Sequence, residues 1–395
     1  MNVRAAVLIL LVVIAAQPVA SPLIAVPPQQ AATLGQRYAE EHRAIRRDVP
    51  LTNSIERAME AGTRDFSGRP APGYWQLEVD YSIDVRLDRA AQTLVGEETA
   101  VLHNNSPDAL DEIVLRLDHN IFRPRVPRGS SVPAETTEGM VVTRITVNGQ
   151  AVDLSAPAPR GRRGGNAPRQ LAASGLDQTV AVISLVTPIA PRSDATLEID
   201  WHTKLPGGDT GRGHRMTQRW GDTLFQPTQW FPRVAKYDDL RGWDTQVYLG
   251  PAEFYNNFGR FDVRIDVPAG WIVTGTGVLQ NADEVLTETA RQRLATVLDT
   301  DDIVTVVGVD EVGPGQATAD GDRLVWHFVA DKVNDFAWAT AEKYVWQALR
   351  ADIPGRGFIP IHMVFIPERA RLFENAGPIS RHALEFYSDL WQPYP

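Results

Sequence analysis

Cysteine is absent from all 395 residues. That removes disulfides, thiol nucleophiles, cysteine-ligated zinc, iron–sulfur clusters and a lipidated N-terminal cysteine. Positive charge is in deficit, with 39 Lys and Arg against 49 Asp and Glu and a formal net charge of -10. Neutralising phosphate requires a basic surface, so the balance argues against a nucleic-acid partner. Long apolar runs are missing as well. The one candidate, residues 5–16, is shorter than the about 20 residues that cross a bilayer. Several catalytic signatures are also lacking: no Gly-x-Ser-x-Gly elbow, no phosphate loop, no dinucleotide fingerprint and no H-E-x-x-H pair.

What remains is an ordinary globular balance of 43% hydrophobic and 22% charged residues, with Trp 10, Tyr 9 and Phe 13 to anchor a core. The length allows two or three domains. Residues 1–21 carry one early positive charge at Arg4, an apolar stretch and the small residues Val19-Ala20-Ser21, and read as a secretory signal peptide. Because Leu23 to Val26 prolong the apolar character, an uncleaved anchor is the alternative. The expected address is periplasmic or secreted, with no membrane span beyond this segment.

Residues 22–73 read as a helical lead-in, interrupted at Pro50, and a Pro/Gly-rich linker from Gly68 to Gly73. Strict alternation then begins. Leu77, Val79, Tyr81, Ile83, Val85 and Leu87 alternate with polar residues, the period of a strand with one wet face. Further short strands are expected at 113–117, 141–147, 180–186, 197–201, 261–267 and 325–329, separated by Asn, Gly and Pro. This predicts a mainly β fold, an antiparallel sandwich or saddle. Near the end the spacing changes: a helix at 287–298, a buried strand at 359–366 and a helical stripe of Ile379, Ala383, Phe386/Tyr387 and Leu390 within 368–390. The glycine- and arginine-rich stretches 159–168 and 207–215 read as surface loops.

No complete catalytic constellation emerges from the residues alone. The eight histidines contain no i, i+4 pair, and His382 with Glu385 reads as a helix-surface pair. The acidic run Asp299 to Asp302 reads as turn or capping duty, since it lacks the glycine and terminal glutamate of a calcium loop. The adjacent carboxylates Asp238-Asp239 and Glu97-Glu98 are expected to diverge in extended backbone.

The order of motifs resembles the front part of aminopeptidase N-like zinc metallopeptidases, the gluzincin group. The run Tyr81-Ser82-Ile83-Asp84-Val85-Arg86-Leu87-Asp88, then Leu94-Val95-Gly96-Glu97-Glu98, looks like that family's opening strands. Leu115-Arg116-Leu117-Asp118-His119-Asn120 is similar to its L-x-L-x-x-N strand. Leu224-Phe225-Gln226-Pro227-Thr228-Gln229-Trp230-Phe231-Pro232-Arg233 resembles the segment Q-F-E-P-T-x-A-R-x-x-F-P. The resemblance spans residues 74–395. It implies an N-terminal β-domain over 74–348 and the start of a thermolysin-like α/β catalytic domain over 349–395. In the family, the glutamate of F-E-P-T helps to bind the substrate's free α-amino group; Gln226 stands at that position, which implies peptide as substrate and weaker selection for the amine. Zinc is implied for the whole family, and the ligands, general base and transition-state tyrosine would lie beyond Pro395. The expectation is a truncated metallopeptidase, inactive alone, with no catalytic or metal-ligating residue in this chain. The alternative is a non-catalytic β-sandwich module that binds peptides or proteins. A carbohydrate-binding sandwich using Trp220, Trp230 and Trp243 ranks below both.

Overall fold

The computed structural model describes residues 50–395 apart from 68, 131, 156–169, 208–215 and 253. The expected signal peptide, the lead-in up to residue 49, the 159–168 loop and all but the first residue of the 207–215 loop therefore lie outside the described residues. Residues Asn53–Pro395 form one unit.

The first alternating run becomes β1 (Glu78–Asp88), followed by β2 (Thr93–Asn104), β3 (Leu110–Arg116), β4 (Met140–Val147), β5 (Gln150–Ala151), β6 (Ala172–Ser174), β7 (Val180–Ile189) and β8 (Ser193–Lys204). Five two-residue strands come next: β9 (Arg219–Trp220), β10 (Leu224–Phe225), β11 (Arg233–Val234), β12 (Tyr237–Asp238) and β13 (Gly242–Trp243). The chain continues with β14 (Gly259–Pro268), β15 (Ile272–Gly275), β16 (Val278–Leu279), β17 (Val304–Val307), β18 (Arg323–Val333), β19 (Trp338–Ala341), β20 (Val345–Ile353) and β21 (Gly357–Phe365). Helices are few: α1 (Asn53–Glu60), α2 (Ala282–Val285), α3 (Glu288–Ala295), α4 (Ala370–Phe373) and α5 (Ala376–Leu390). The mainly β expectation is met.

An eight-stranded sheet in the order β16-β18-β14-β1-β2-β8-β4-β5 forms the largest layer. Two four-stranded sheets, β15-β19-β10-β9 and β11-β3-β7-β6, share its hydrophobic core. Every second residue of β1 is buried, as its period requires. One pairing departs from an all-antiparallel sheet: β1 lies parallel to β14, with Tyr81 beside Phe261. A hairpin cannot make such a pair, and here the long excursion through the smaller sheets supplies the crossover.

One cross-strand row fixes the middle of the core. Trp326, Ile265, Val85, Gly96 and Trp201 sit side by side on five neighbouring strands. Gly96 is required there, because a Cβ would lie 2.4 Å from Trp201 Cζ2. Trp201 is fully buried and has nowhere to retreat. Gly96→Ala is expected to destabilise the fold by about 1–3 kcal/mol, the usual cost of overpacking a core; urea unfolding that coincides with the wild-type curve would contradict this.

The last segment builds a three-stranded sheet, β17-β20-β21, in which β20 runs through position 348. Helix α5 packs on this sheet through small and polar groups. Gly377 is seated against Met363 and Leu349, and Arg381 Nε donates to the Arg350 carbonyl at 2.7 Å. The expected apolar stripe therefore faces away, with Ile379 65%, Phe386 50% and Leu390 54% exposed.

Candidate functional site

Strand β10 ends at Phe225 because the chain next meets Pro227, which has no N–H for a ladder. Neighbouring β19 runs past that point, pairing with β15 as far as Trp338 and Gly275. The divergence opens a trough of about 590 Å³, lined by Gln226, Thr228, Trp220, Thr274, Thr276 and Trp338 among others. Gln226 is anchored by its backbone N–H, which donates to the Gln218 carbonyl at 2.8 Å, while its side chain is exposed on the rim. Two further polar atoms belonging to the lining residues have no partner among the described residues: Thr228 Oγ1 and Trp338 Nε1, both buried. Such groups are costly unless water or a ligand completes them.

A layer beneath positions Gln226. His119, in the 3-10 turn Asp118–Phe122, is fully buried. Its Nε2 faces the Lys204 carbonyl at 3.1 Å, and with the proton on Nε2 its Nδ1 accepts from Gln218 Nε2 at 3.5 Å. Burial lowers the His119 pKa to about 4 against the carbonyls of Lys204 and Thr228, which keeps the ring neutral near pH 7. Gln218, whose carbonyl receives the Gln226 N–H, is thereby held from behind. No sequence motif marks Gln218. His119 was visible only as part of the L-x-L-x-x-N resemblance, where nothing marked it as a support.

A second concentration of charge lies at the ends of β3 and β11. Arg116 and Arg233 are direct cross-strand neighbours, a repulsive pairing in isolation. Asp118 resolves it, with Oδ1 accepting from Arg116 Nε at 3.1 Å and Oδ2 from Arg233 Nη2 at 2.5 Å. Asp244 (3.3 Å) and Asp335 (3.2 Å) close the outer sides on Arg116 and Arg233 respectively. Burial acts to lower the Arg233 pKa, and the carboxylates of Asp118 and Asp335 outweigh it, holding the pKa above its ordinary value. Three of its four pairs join residues more than a hundred positions apart, which leaves no local signal in the sequence.

The adjacent carboxylates separate as expected, whereas the helix-surface pair expected of His382 and Glu385 does not form. Asp239 takes a bidentate contact from Arg64 at 2.9 and 2.8 Å, whereas Asp238 accepts from Tyr255. Glu97 is exposed and Glu98 is buried. Asp301 receives Arg350 Nε at 2.9 Å. Glu385 accepts from the Asp352 N–H at 3.0 Å rather than meeting His382, which stacks on Phe386. Trp230 is buried in the core and donates to the Phe336 carbonyl, so among the three tryptophans weighed for sugar binding it is not available. No group of three or more His, Asp or Glu side chains arranged to hold a metal occurs among the described residues. They do not supply a zinc ligand set, and no zinc step can be derived from them. No described helix is long and apolar enough to cross a membrane.

No family model matches the chain, and no curated protein matches it. Among solved structures, the chain is similar to a variant of a two-domain M1 zinc metallopeptidase bound to L-tryptophan, with 16% identity and TM-score 0.44. It is also similar to M1 zinc metallopeptidase structures from Deinococcus radiodurans. One, a variant bound to a Tyr-Ser-Ala substrate, has 16% identity and TM-score 0.43; another has 14% identity and TM-score 0.41. The matches cover 82–83% of this chain and 56% of the other, so the chain spans about half the length of these structures.

Proposed function

We propose that the chain is the β-rich front module of an exported zinc metallopeptidase of the aminopeptidase N type, and that it presents Gln226 to the free α-amino group of a peptide. The observation that carries this is the Gln226 side chain, standing exposed on the rim of a trough at the position where the F-Q-P-T segment places it. A carboxamide oxygen can accept from an ammonium, though without the ion pair a glutamate would add. Zinc-activated water would supply hydrolysis in the whole family's reaction, and its ligands are not among the residues described. The 395-residue chain supplied with zinc is accordingly expected to leave alanyl anilides intact.

Titration with alanyl-alanine amide, followed by calorimetry or amide chemical shifts, tests the reading. The free-amine peptide is expected to bind more tightly than its N-acetylated form. Gln226→Ala should erase that preference, a loss of roughly tenfold or more for a hydrogen bond to a charged group. Gln226→Glu should strengthen it by adding opposite charge. Equal binding of acetylated and free peptide by the wild type would sink the proposal.

A further inference from the structure

We propose that Lys236 is a reactive amine, a site at which a small aldehyde condenses with Nζ to form an imine. The chain draws its positive charge almost wholly from arginine: of its 39 basic residues, only Lys204, Lys236, Lys332 and Lys343 are lysine. Lys204, Lys332 and Lys343 are exposed, whereas Lys236 is 8% exposed. A lysine is almost never buried unless an acid meets it.

No acid meets this one. The buried guanidinium groups of Arg116 and Arg233 are both bonded to Asp118. Lys236 Nζ makes no hydrogen bond or ion pair among the described residues. The charge that reaches it from those residues is Asp238, and both oxygens of that carboxylate are occupied. Oδ1 accepts from the N–H groups of Leu240 and Arg241 at 3.1 and 2.8 Å, and Oδ2 accepts from the Tyr255 hydroxyl. The backbone here is pinned on both sides. Ala235 N–H donates to the Val114 carbonyl, and the Lys236 carbonyl accepts from Asp244 N–H, each at 2.8 Å. Glu98 Oε1 and Trp201 Nε1 are sealed from solvent without a partner, but Lys236 Nζ is not among the atoms so sealed. An unpartnered nitrogen that is not sealed touches solvent, so the stem is buried and the tip can be reached.

A partly desolvated ammonium without a counter-ion is the disfavoured form of this group. Burial accordingly lowers the Lys236 pKa, against the opposing pull of Asp238. An arginine would keep its charge in this place, whereas a lysine can shed it. The freed amine is a nucleophile. Its lone pair adds to the aldehyde carbon; the two amine protons and the carbonyl oxygen then leave as one water, and a C=N bond replaces C=O. An imine is a weaker base than the amine, which suits a setting without a counter-ion. Because only the tip is reachable, the aldehyde is small and unbranched.

The test uses the full chain, acetaldehyde as probe and cyanoborohydride to trap the imine as an ethyl amine, with the four lysines compared by peptide mass mapping. At pH 7 Lys236 is expected to be ethylated about threefold or more faster than Lys204, Lys332 or Lys343. As pH is raised, its rate should level off before theirs. Asp238→Asn removes the charge that favours the ammonium and should speed Lys236 further. If that variant fails to fold, the wild type still decides, because the advantage of Lys236 should disappear in denaturing urea. Glu253 lies outside the described residues; were its carboxylate paired with Lys236, the amine would titrate with the exposed lysines and react no faster. Equal or slower modification of native Lys236, or an advantage that survives in urea, would overturn the proposal.

Discussion

Asp118→Asn is expected to lower the unfolding free energy by about 3–5 kcal/mol, the cost of breaking a buried ion pair and leaving charge behind. The magnitude follows from what the substitution strands. Asp118 is 4% exposed and serves two arginines at once, both themselves buried. Asp244 and Asp335 would remain, but each touches only one guanidinium, at 3.3 and 3.2 Å. The two like charges facing each other across β3 and β11 would then lose the group between them. Urea denaturation at neutral pH measures the effect. Replacing the whole group with apolar residues should cost far less than the single change, since no orphaned charge survives. An Asp118→Asn variant within about 1 kcal/mol of wild type would contradict the assignment of Asp118 as the bridge.

Glu98→Gln is expected to flatten the pH dependence of stability above pH 5. Glu98 is 4% exposed, and neither carboxyl oxygen has a partner among the described residues. Burial raises its pKa well above the ordinary glutamate range. The ionisable neighbour that its charge reaches is Tyr81, whose own phenol is pushed up first by burial and then by Glu98. The folded state therefore binds a proton that the unfolded chain gives up near pH 4–5. Its contribution to stability is complete below that range and is lost as pH rises toward the folded value. The slope can reach about 1.4 kcal/mol per pH unit. The difference between wild type and Glu98→Gln, measured from pH 5 to 9, should grow in the variant's favour. A constant difference would show that Glu98 is ionised in the folded chain.

Local pattern reached far into this fold. Alternation from Leu77 to Leu87 located β1 and its buried face, and the same period puts Glu98 on the side of Leu94, Ala100 and Leu102. The helix expected at 287–298 is present as α3 and the 3-10 turn Thr296–Asp299. What local pattern could not supply was pairing at a distance. Arg116, between two leucines, is buried beside Arg233 and Asp118, a placement that alternation does not indicate. The outward orientation of the α5 stripe has its cause in Gly377 and Arg381, which meet the sheet and leave Ile379, Phe386 and Leu390 exposed. Along the trough, Gln226 is marked in the sequence only by the resemblance of its segment. Its support by Gln218 and His119 is not marked, since hydrogen bonds across strands leave no periodic trace.

The parallel seam between β1 and β14 also governs how the molecule can be made. β1 leaves the ribosome early, but its partner at Gly259–Pro268 emerges only after the smaller sheets have been synthesised. Until then β1 is an open edge, with unpaired backbone groups and an apolar face. Nascent chains halted between β8 and β14 should be sticky, holdase-dependent species. The commitment step in folding should be late docking of β14, a slow closure over a long loop.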